Sequence, residues 1–225
     1  GAGPGMGVDR RMTLDVRTLV LLASLVTLLI SICLVYAARG YPDALRNSLW
    51  DWAGGIGVQW LGWLLLGLRG YIPDFSSIVV ANTLVAFGYA EIISALRHFG
   101  GGGGRRFWLP HWLALGVAAV CIAYSVEAPD LRARLMIVSG LIAMQYLIGL
   151  QLVWRLAPPP RPVSHRVMIA MFVVGIAVLS ARAIAVYLAP LPGNDPFVLT
   201  PLQALSFATG TFGPVVATFA FLLMV

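Results

Sequence analysis

Polar and charged side chains inside long apolar segments are the part of this sequence that can do chemistry. Arg182 lies roughly 10 Å into one such segment, counted at 1.5 Å per residue. Charged groups are costly inside a bilayer and are functional candidates by default. A guanidinium presents a planar fork of donors that fits a carboxylate or a phosphate. We therefore predict a pocket for a small anionic or amphipathic ligand, lined by Arg182, Asn82, Arg134, Arg132, Tyr124, Gln203 and Tyr187.

The same residues also have a structural interpretation. Arg182 can extend to the headgroups, or it can form an ion pair with Asp74, Glu127 or Asp130. Arg132 and Arg134 can contact lipid phosphate, and Asn82 can donate a hydrogen bond to a neighbouring helix. Both interpretations remain open on the sequence alone.

Other polar residues in the apolar segments favour structural roles. We expect Glu91 to pair with an arginine such as Arg46 or Arg166. Gln59 and Gln145 are expected to form hydrogen bonds between helices.

The sequence does not predict an enzyme active site in this chain. The three histidines, His98, His111 and His165, are expected to be solvated at one membrane face. An intramembrane protease needs a Ser-His dyad or paired aspartates at depth, and neither pattern occurs. We expect no catalytic residue, no metal site and no cofactor.

Composition limits the class of protein. Of 225 residues, 60% are hydrophobic and 11% are charged, and the mean hydropathy is +0.88. Soluble domains are closer to half apolar and a quarter charged, so the chain is expected to lie in a lipid bilayer. All 15 basic residues are arginine. Without lysine, a retinal Schiff base, a PLP site and a P-loop are excluded.

Seven apolar segments of about 20 residues predict an all-α protein with seven transmembrane helices. They are residues 17–38, 46–68, 74–96, 107–126, 131–154, 166–189 and 201–225. Eight arginines fall in the turns on one side of the predicted membrane and six on the other. Because cytoplasmic loops carry an excess of positive charge, the N-terminus is expected outside and the C-terminus in the cytoplasm.

The chain ends are predicted to differ from those of the natural protein. Residues 1–11 are typical of a tag remnant and a leader. Residues 12–225 form the predicted membrane domain. Since the sequence stops within its seventh apolar segment, we expect that the natural chain continues into a cytoplasmic output domain.

Several short motifs resemble, in order and spacing, the seven-helix membrane module that precedes the cyclase domain of bacterial GGDEF proteins, the diguanylate cyclases. They are MTLDVRTL at 12–19, RGYIPD at 69–74, SIVVAN at 77–82, VEAPDLRAR at 126–134, PLQAL at 201–205 and FLLMV at 221–225. The resemblance implies a sensory input domain in the bacterial inner membrane. It also implies a homodimer, because the cyclase joins two GTP-loaded sites. The GGDEF signature itself is absent, so this chain is not expected to be an enzyme by itself.

Two other functions stay open. One is a small transporter or channel. Transporters commonly contain internal repeats, but predicted helices 1–3 and 4–6 show no clear sequence similarity. A passive anchor and dimerisation module is the other. Nucleic acid is not an expected partner.

Overall fold

The computed structural model describes residues 16–102, 108–157, 159–188 and 201–225. These residues form seven α-helices and no β-strand, which confirms the predicted all-α class. Two π-helical segments extend the helices: Phe75–Val80 precedes α3 and Ala123–Glu127 follows α4. The helices are α1 (Val16–Ala38), α2 (Asp43–Gly67), α3 (Ala81–Phe99), α4 (Leu109–Ile122), α5 (Leu131–Leu156), α6 (Val163–Leu188) and α7 (Pro201–Leu222).

The helices form a closed ring. Each helix packs against the next one along the chain, and α7 returns to pack against α1. α3 also packs against α5, which brings it toward the middle of the bundle. Because short connections join antiparallel neighbours, the bundle has two ends. The Arg69 end holds the connections at 68–74 and 128–130, and the Arg39 end holds the connection at 39–42.

Five of the described helices are long and apolar enough to cross a bilayer, whereas the sequence predicted seven spans. α2 is long enough, but Asp43, Arg46 and Asp51 make its first half polar. α4 is apolar, but its apolar stretch, Leu109–Ser125, is shorter than a typical span. The five stretches are Val20–Ala38, Phe75–Phe99, Leu131–Leu156, Val163–Leu188 and Ala204–Leu222.

Glycines let the helices around α3 approach closely. A Cβ on Gly88 of α3 would lie 2.6 Å from the carbonyl oxygen of Gly55 on α2, so neither residue tolerates a side chain there. A Cβ on Gly175 of α6 would lie 2.0 Å from the ring of Tyr146 on α5. Small residues of this kind are common where membrane helices meet, since association there depends on tight packing.

The tryptophans near the Arg39 end comprise four exposed residues and one buried residue. Trp50, Trp108, Trp112 and Trp154 are exposed, as side chains at a membrane interface should be. Trp52 is instead fully buried. Its ring stacks on Phe221 of α7 at 4.2 Å between centroids, and its Nε1 donates to Thr218. Trp52 therefore ties α2 to the last turns of α7.

Candidate functional site

The bundle contains a partly open cavity of about 110 Å³ in the half nearer the Arg69 end. A water molecule needs roughly 10–15 Å³ on this measure, so the cavity can hold several small groups. Side chains from α2 through α7 line it. We call it the arginine cavity because Arg69, Arg134 and Arg182 all reach it, together with Trp63, Asn82, Tyr89, Ser139, Tyr146, Ser206 and Thr209 among others.

The three guanidiniums of this cavity lie more than 4 Å from every carboxylate oxygen among the described residues. None of them forms an ion pair there, and the cavity lining contains no carboxylate. Arg182 Nε is buried and has no hydrogen-bond partner in the described part of the chain. The ion pairs that the structural interpretation expected with Asp74 or Asp130 are thus not formed. Glu127, the third expected partner, has its side chain outside the described residues.

Arg134 is held in place by a hydrogen bond to a neighbouring segment. Its side chain is buried, and its Nη1 donates to Ser125 Oγ at 2.5 Å. Ser125 lies in the π-helical segment that follows α4. This bond links the start of α5 to the end of α4, and it fixes one guanidinium at the rim of the cavity.

A second cavity of about 250 Å³ leads from the arginine cavity to the Arg69 end. We call it the Asp74 vestibule. It shares Arg69, Ile78 and Arg134 with the arginine cavity, so the two spaces adjoin. Asp74 and Asp130 add negative charge to its exposed rim. The charged side chains of the arginine cavity are therefore all basic, whereas the Asp74 vestibule also has acidic side chains.

A third and smaller space, of about 40 Å³, adjoins the arginine cavity on its other side. We call it the Met168 pocket. The two share Tyr89, Tyr146 and Thr209, and the tyrosine rings meet edge to face at 4.9 Å between centroids. The vestibule, the cavity and the pocket thus follow one another along the bundle.

The structure brings three of the predicted site residues together at the arginine cavity: Arg182, Asn82 and Arg134. Asn82 Nδ2 also donates to the carbonyl of Ile78, one turn earlier on its own helix, at 2.6 Å. Tyr124 lines the Asp74 vestibule instead. The side chain of Gln203 lies outside the described residues.

The remaining two predicted residues lie away from the cavity and contact each other. Arg132 donates to the backbone carbonyl of Tyr187, and its guanidinium lies over the Tyr187 ring. Both residues are exposed at the Arg69 end. Arg132 and Arg134 are two positions apart on α5, and such residues face different directions on a helix.

Sequence reasoning assigned no site role to several lining residues. Arg69 lies in the connection just after α2, so the sequence used it only as evidence for the orientation of the chain in the membrane. Tyr89 and Tyr146 are aromatic residues in apolar helices, a pattern that ordinary packing also produces. Arg69 belongs to the RGYIPD segment, and its position at the end of an apolar helix is the sequence signal for a role in the cavity.

Two predictions for the other half of the bundle are corrected: the partner of Glu91, and the exposure of His111 and His165. Glu91 contacts His111, not an arginine, with 3.0 Å between Oε1 and Nε2. His111 and His165 are buried, not solvated, and His98 pairs with Asp51 at 2.5 Å. A histidine ring is apolar enough to pack inside when a polar group satisfies one nitrogen, here Glu91 for His111 and Ser164 Oγ, at 3.5 Å, for His165.

Gln145 has the interhelical role that the sequence predicted. Its Nε2 donates to the carbonyls of Ala86 on α3 and Pro110 on α4, at 3.0 Å and 2.9 Å. Gln59 does not have that role. It is fully buried, and neither polar atom of its side chain has a hydrogen-bond partner in the described part of the chain.

The fold and the cavity together define a multi-pass helical membrane protein with basic groups in its interior. Comparison of the chain with protein-family models, with curated proteins and with solved structures finds no match.

Proposed function

We propose that this chain is a membrane-embedded sensory input domain that binds a small anionic, amphipathic ligand in the arginine cavity. The observation that carries the proposal is a cavity lined by Arg69, Arg134 and Arg182 with no carboxylate in its lining. Cations held away from water are unfavourable unless they are paired or hydrogen-bonded. A ligand carboxylate or phosphate supplies that pairing, and its binding is favourable for the same reason.

The shape of the cavity supports an amphipathic ligand rather than a simple anion. Its lining is largely apolar beyond the arginines, with Trp63, Val138, Ile142 and Phe207 among the contributors. Binding sites for small molecules typically combine apolar walls with a few placed polar groups. The ligand head would lie between Arg134 and Arg182, and Asn82 and Ser139 would add polar contacts.

We further propose that all seven helices cross the membrane. α2 packs between α1 and α3, and α4 packs between α3 and α5, within one closed ring. A ring member that failed to cross would leave its neighbours without a partner over half their length. In the polar first half of α2, Asp51 pairs with His98 of α3, and Asp43 pairs with Arg46 at the exposed Arg39 end.

The arginine distribution favours the Arg39 end as the cytoplasmic end. Six described arginines lie there, namely Arg39, Arg46, Arg97, Arg155, Arg161 and Arg166. Four lie at the other end, namely Arg17, Arg69, Arg132 and Arg134. By the positive-inside rule, this distribution supports an orientation with the N-terminus and the Asp74 vestibule outside. The arginine cavity opens toward the outer face of the bacterial inner membrane in this arrangement.

The proposed output is regulation of a cytoplasmic diguanylate cyclase in a homodimer, which rests on the resemblance of the short motifs to GGDEF sensor modules. The ligand must bind one arrangement of the helices more tightly than another to shift their populations. α7 is the proposed carrier of the change, since Thr209 and Gly210 line the cavity. Pro214, one turn later, lacks an N–H and weakens the helix there.

The experiment uses the chain joined to the proposed cyclase domain, in proteoliposomes. Formation of cyclic di-GMP from GTP is measured with and without dodecanoate as the anionic probe. We expect dodecanoate to change turnover of the wild type, and Arg182→Ala to remove that dependence. Arg132→Ala, at an arginine outside the cavity, is the matched control and should keep it. Turnover that ignores a bound probe would contradict the sensory role.

A further inference from the structure

We infer that the Met168 pocket receives the end of the ligand's apolar chain, and that the ligand is a single-chain carboxylate of medium length. The inference rests on the proposed function, because it takes the arginine cavity as the site of the anionic head. It adds a second subsite, a chain-length limit and a direct contact between the ligand and α7.

The first observation is continuity. Tyr89, Tyr146 and Thr209 line both the arginine cavity and the Met168 pocket, so these side chains form a wall that the two spaces share. Along α7, the cavity takes Ser206 to Gly210 and the pocket takes Thr209 to Ala217. A chain that starts at the arginines and passes the tyrosines therefore runs along α7 through the middle of the bundle toward the Arg39 end.

The second observation is the chemistry of the pocket. Beyond the two tyrosines and Thr209, its lining is apolar, and it includes Met168, Met171, Phe172 and Pro214. It contains no charged residue. Methionine side chains are flexible and polarisable, and they adapt to an inserted apolar group. The pocket thus suits a hydrocarbon end and offers nothing to a second polar head.

The volumes limit the length of the ligand. At roughly 10–15 Å³ for each water-sized group, the arginine cavity of about 110 Å³ holds about seven to eleven such groups. The Met168 pocket of about 40 Å³ holds about three to four more on the same measure. A carboxylate of the size of decanoate or dodecanoate matches the two spaces together. A second chain of that length would exceed their combined volume.

Gly213 provides a variant that fills the pocket and leaves the arginines unchanged. A Cβ at Gly213 would meet only Met171 Cε, at 3.4 Å, so the pocket has room for a side chain there. Gly213→Leu should occupy the space meant for the chain end, and Gly213→Ala should occupy part of it. Gly140 on α5 is the matched control, because a Cβ there meets nothing within 4 Å and the residue is exposed.

The experiment uses two photoreactive dodecanoates with the purified chain in nanodiscs. One carries a diazirine next to its terminal methyl group, and the other carries it next to the carboxylate. After illumination, labelled residues are identified by mass spectrometry. We expect the terminal probe to label Met171, Phe172 or Ala217, and the head-proximal probe to label Ser139 or Ile142. Excess dodecanoate should suppress both signals, whereas phosphatidylglycerol should suppress neither.

Gly213→Leu should reduce labelling of Met171 by the terminal probe at least tenfold, and Gly213→Ala should reduce it less. Gly140→Leu should leave it unchanged. A head-proximal hexanoate probe, too short for the pocket, should label the Gly213 variants as it labels the wild type, which shows that they are folded. If the hexanoate probe fails to label Gly213→Leu, the comparison is made between Gly213→Ala and the wild type.

Three results would overturn the inference. Terminal labelling on lipid-facing Phe212 or Phe219, with head labelling in the arginine cavity, would show that the chain leaves the bundle sideways, and the proposed function would stand. Suppression by phosphatidylglycerol alone would replace a free carboxylate with a phospholipid. Labelling of neither cavity by either probe would remove the proposed function as well.

Discussion

Glu91 and His111 contact each other between α3 and α4, with 3.0 Å from Oε1 to Nε2, and His111 is 5% exposed. The carboxylate satisfies one ring nitrogen of a histidine that otherwise lies among apolar and aromatic groups, including Phe87 and Trp108. Its removal would leave a buried polar group without a partner, and that loss costs more than the hydrogen bond itself contributes.

Glu91→Leu is therefore expected to lower the free energy of unfolding by about 1–3 kcal/mol. Glu91→Gln keeps an oxygen and a nitrogen at the same place, so its loss should be smaller. Unfolding in increasing sodium dodecyl sulfate, followed by circular dichroism, measures both. Equal losses for the two variants would show that the contact with His111 does not stabilise the bundle.

Replacement of glutamine by methionine should lower the stability of the bundle at Gln145 but not at Gln59. Methionine matches glutamine in length but removes the polar atoms. Gln145→Met loses bonds to Ala86 and Pro110, and hydrogen bonds between membrane helices contribute about 0.6 kcal/mol each on average. The expected loss is about 1 kcal/mol. Gln59→Met removes buried polar atoms with no partner among the described residues, so stability should hold or rise.

Thermal unfolding of the two methionine variants in one detergent gives the comparison. The expectation for Gln59 fails if Gln59→Met lowers the unfolding temperature as much as Gln145→Met does. That result would mean that Gln59 makes a stabilising polar contact in the membrane.

Gly88→Ala should destabilise the contact between α2 and α3. The added Cβ would lie 2.3 Å from Gln59 Cγ and 2.6 Å from the carbonyl oxygen of Gly55, so the helices must separate. Overpacking of this kind costs about 1–3 kcal/mol. Gly54→Ala, on the exposed side of α2 with nothing within 4 Å, is the control and should stabilise the helix by up to about 1 kcal/mol.

The yield of folded protein and the midpoint of unfolding are measured for both variants. A midpoint for Gly88→Ala at or above that of the wild type would show that α2 and α3 lie further apart in the protein than in this structure.

The apolar segments carried most of the information about the fold, because their length and continuity permit helices only. Two elements did not follow from length and composition. α4 continues past Ile122 as a π-helical segment, and another such segment leads into α3. Both adjoin the Asp74 vestibule, where backbone irregularity positions Ser125 against Arg134. No periodicity in the sequence marks such a change of winding.

For the candidate site, polar residue type indicated Arg182, Asn82 and Arg134 but did not separate Arg134 from Arg132. The two are close in sequence and have the same chemistry, and only the direction of each side chain distinguishes them. Arg134 bonds to Ser125 at the cavity, whereas Arg132 bonds to Tyr187 at the surface. Burial of His111 was missed for a related reason: its partner, Glu91, is 20 positions away.

The most direct test of the account is equilibrium binding of a fluorescent carboxylate, dansyl-undecanoate, to the purified chain in nanodiscs. Charge-assisted hydrogen bonds contribute about 1.5–3 kcal/mol each, so Arg182→Ala should raise Kd about tenfold to a hundredfold. Arg132→Ala, with its arginine outside the cavity, should leave Kd unchanged. Equal binding by the wild type and Arg182→Ala, or equal weakening by the two variants, would contradict the assignment of the arginine cavity as the ligand site.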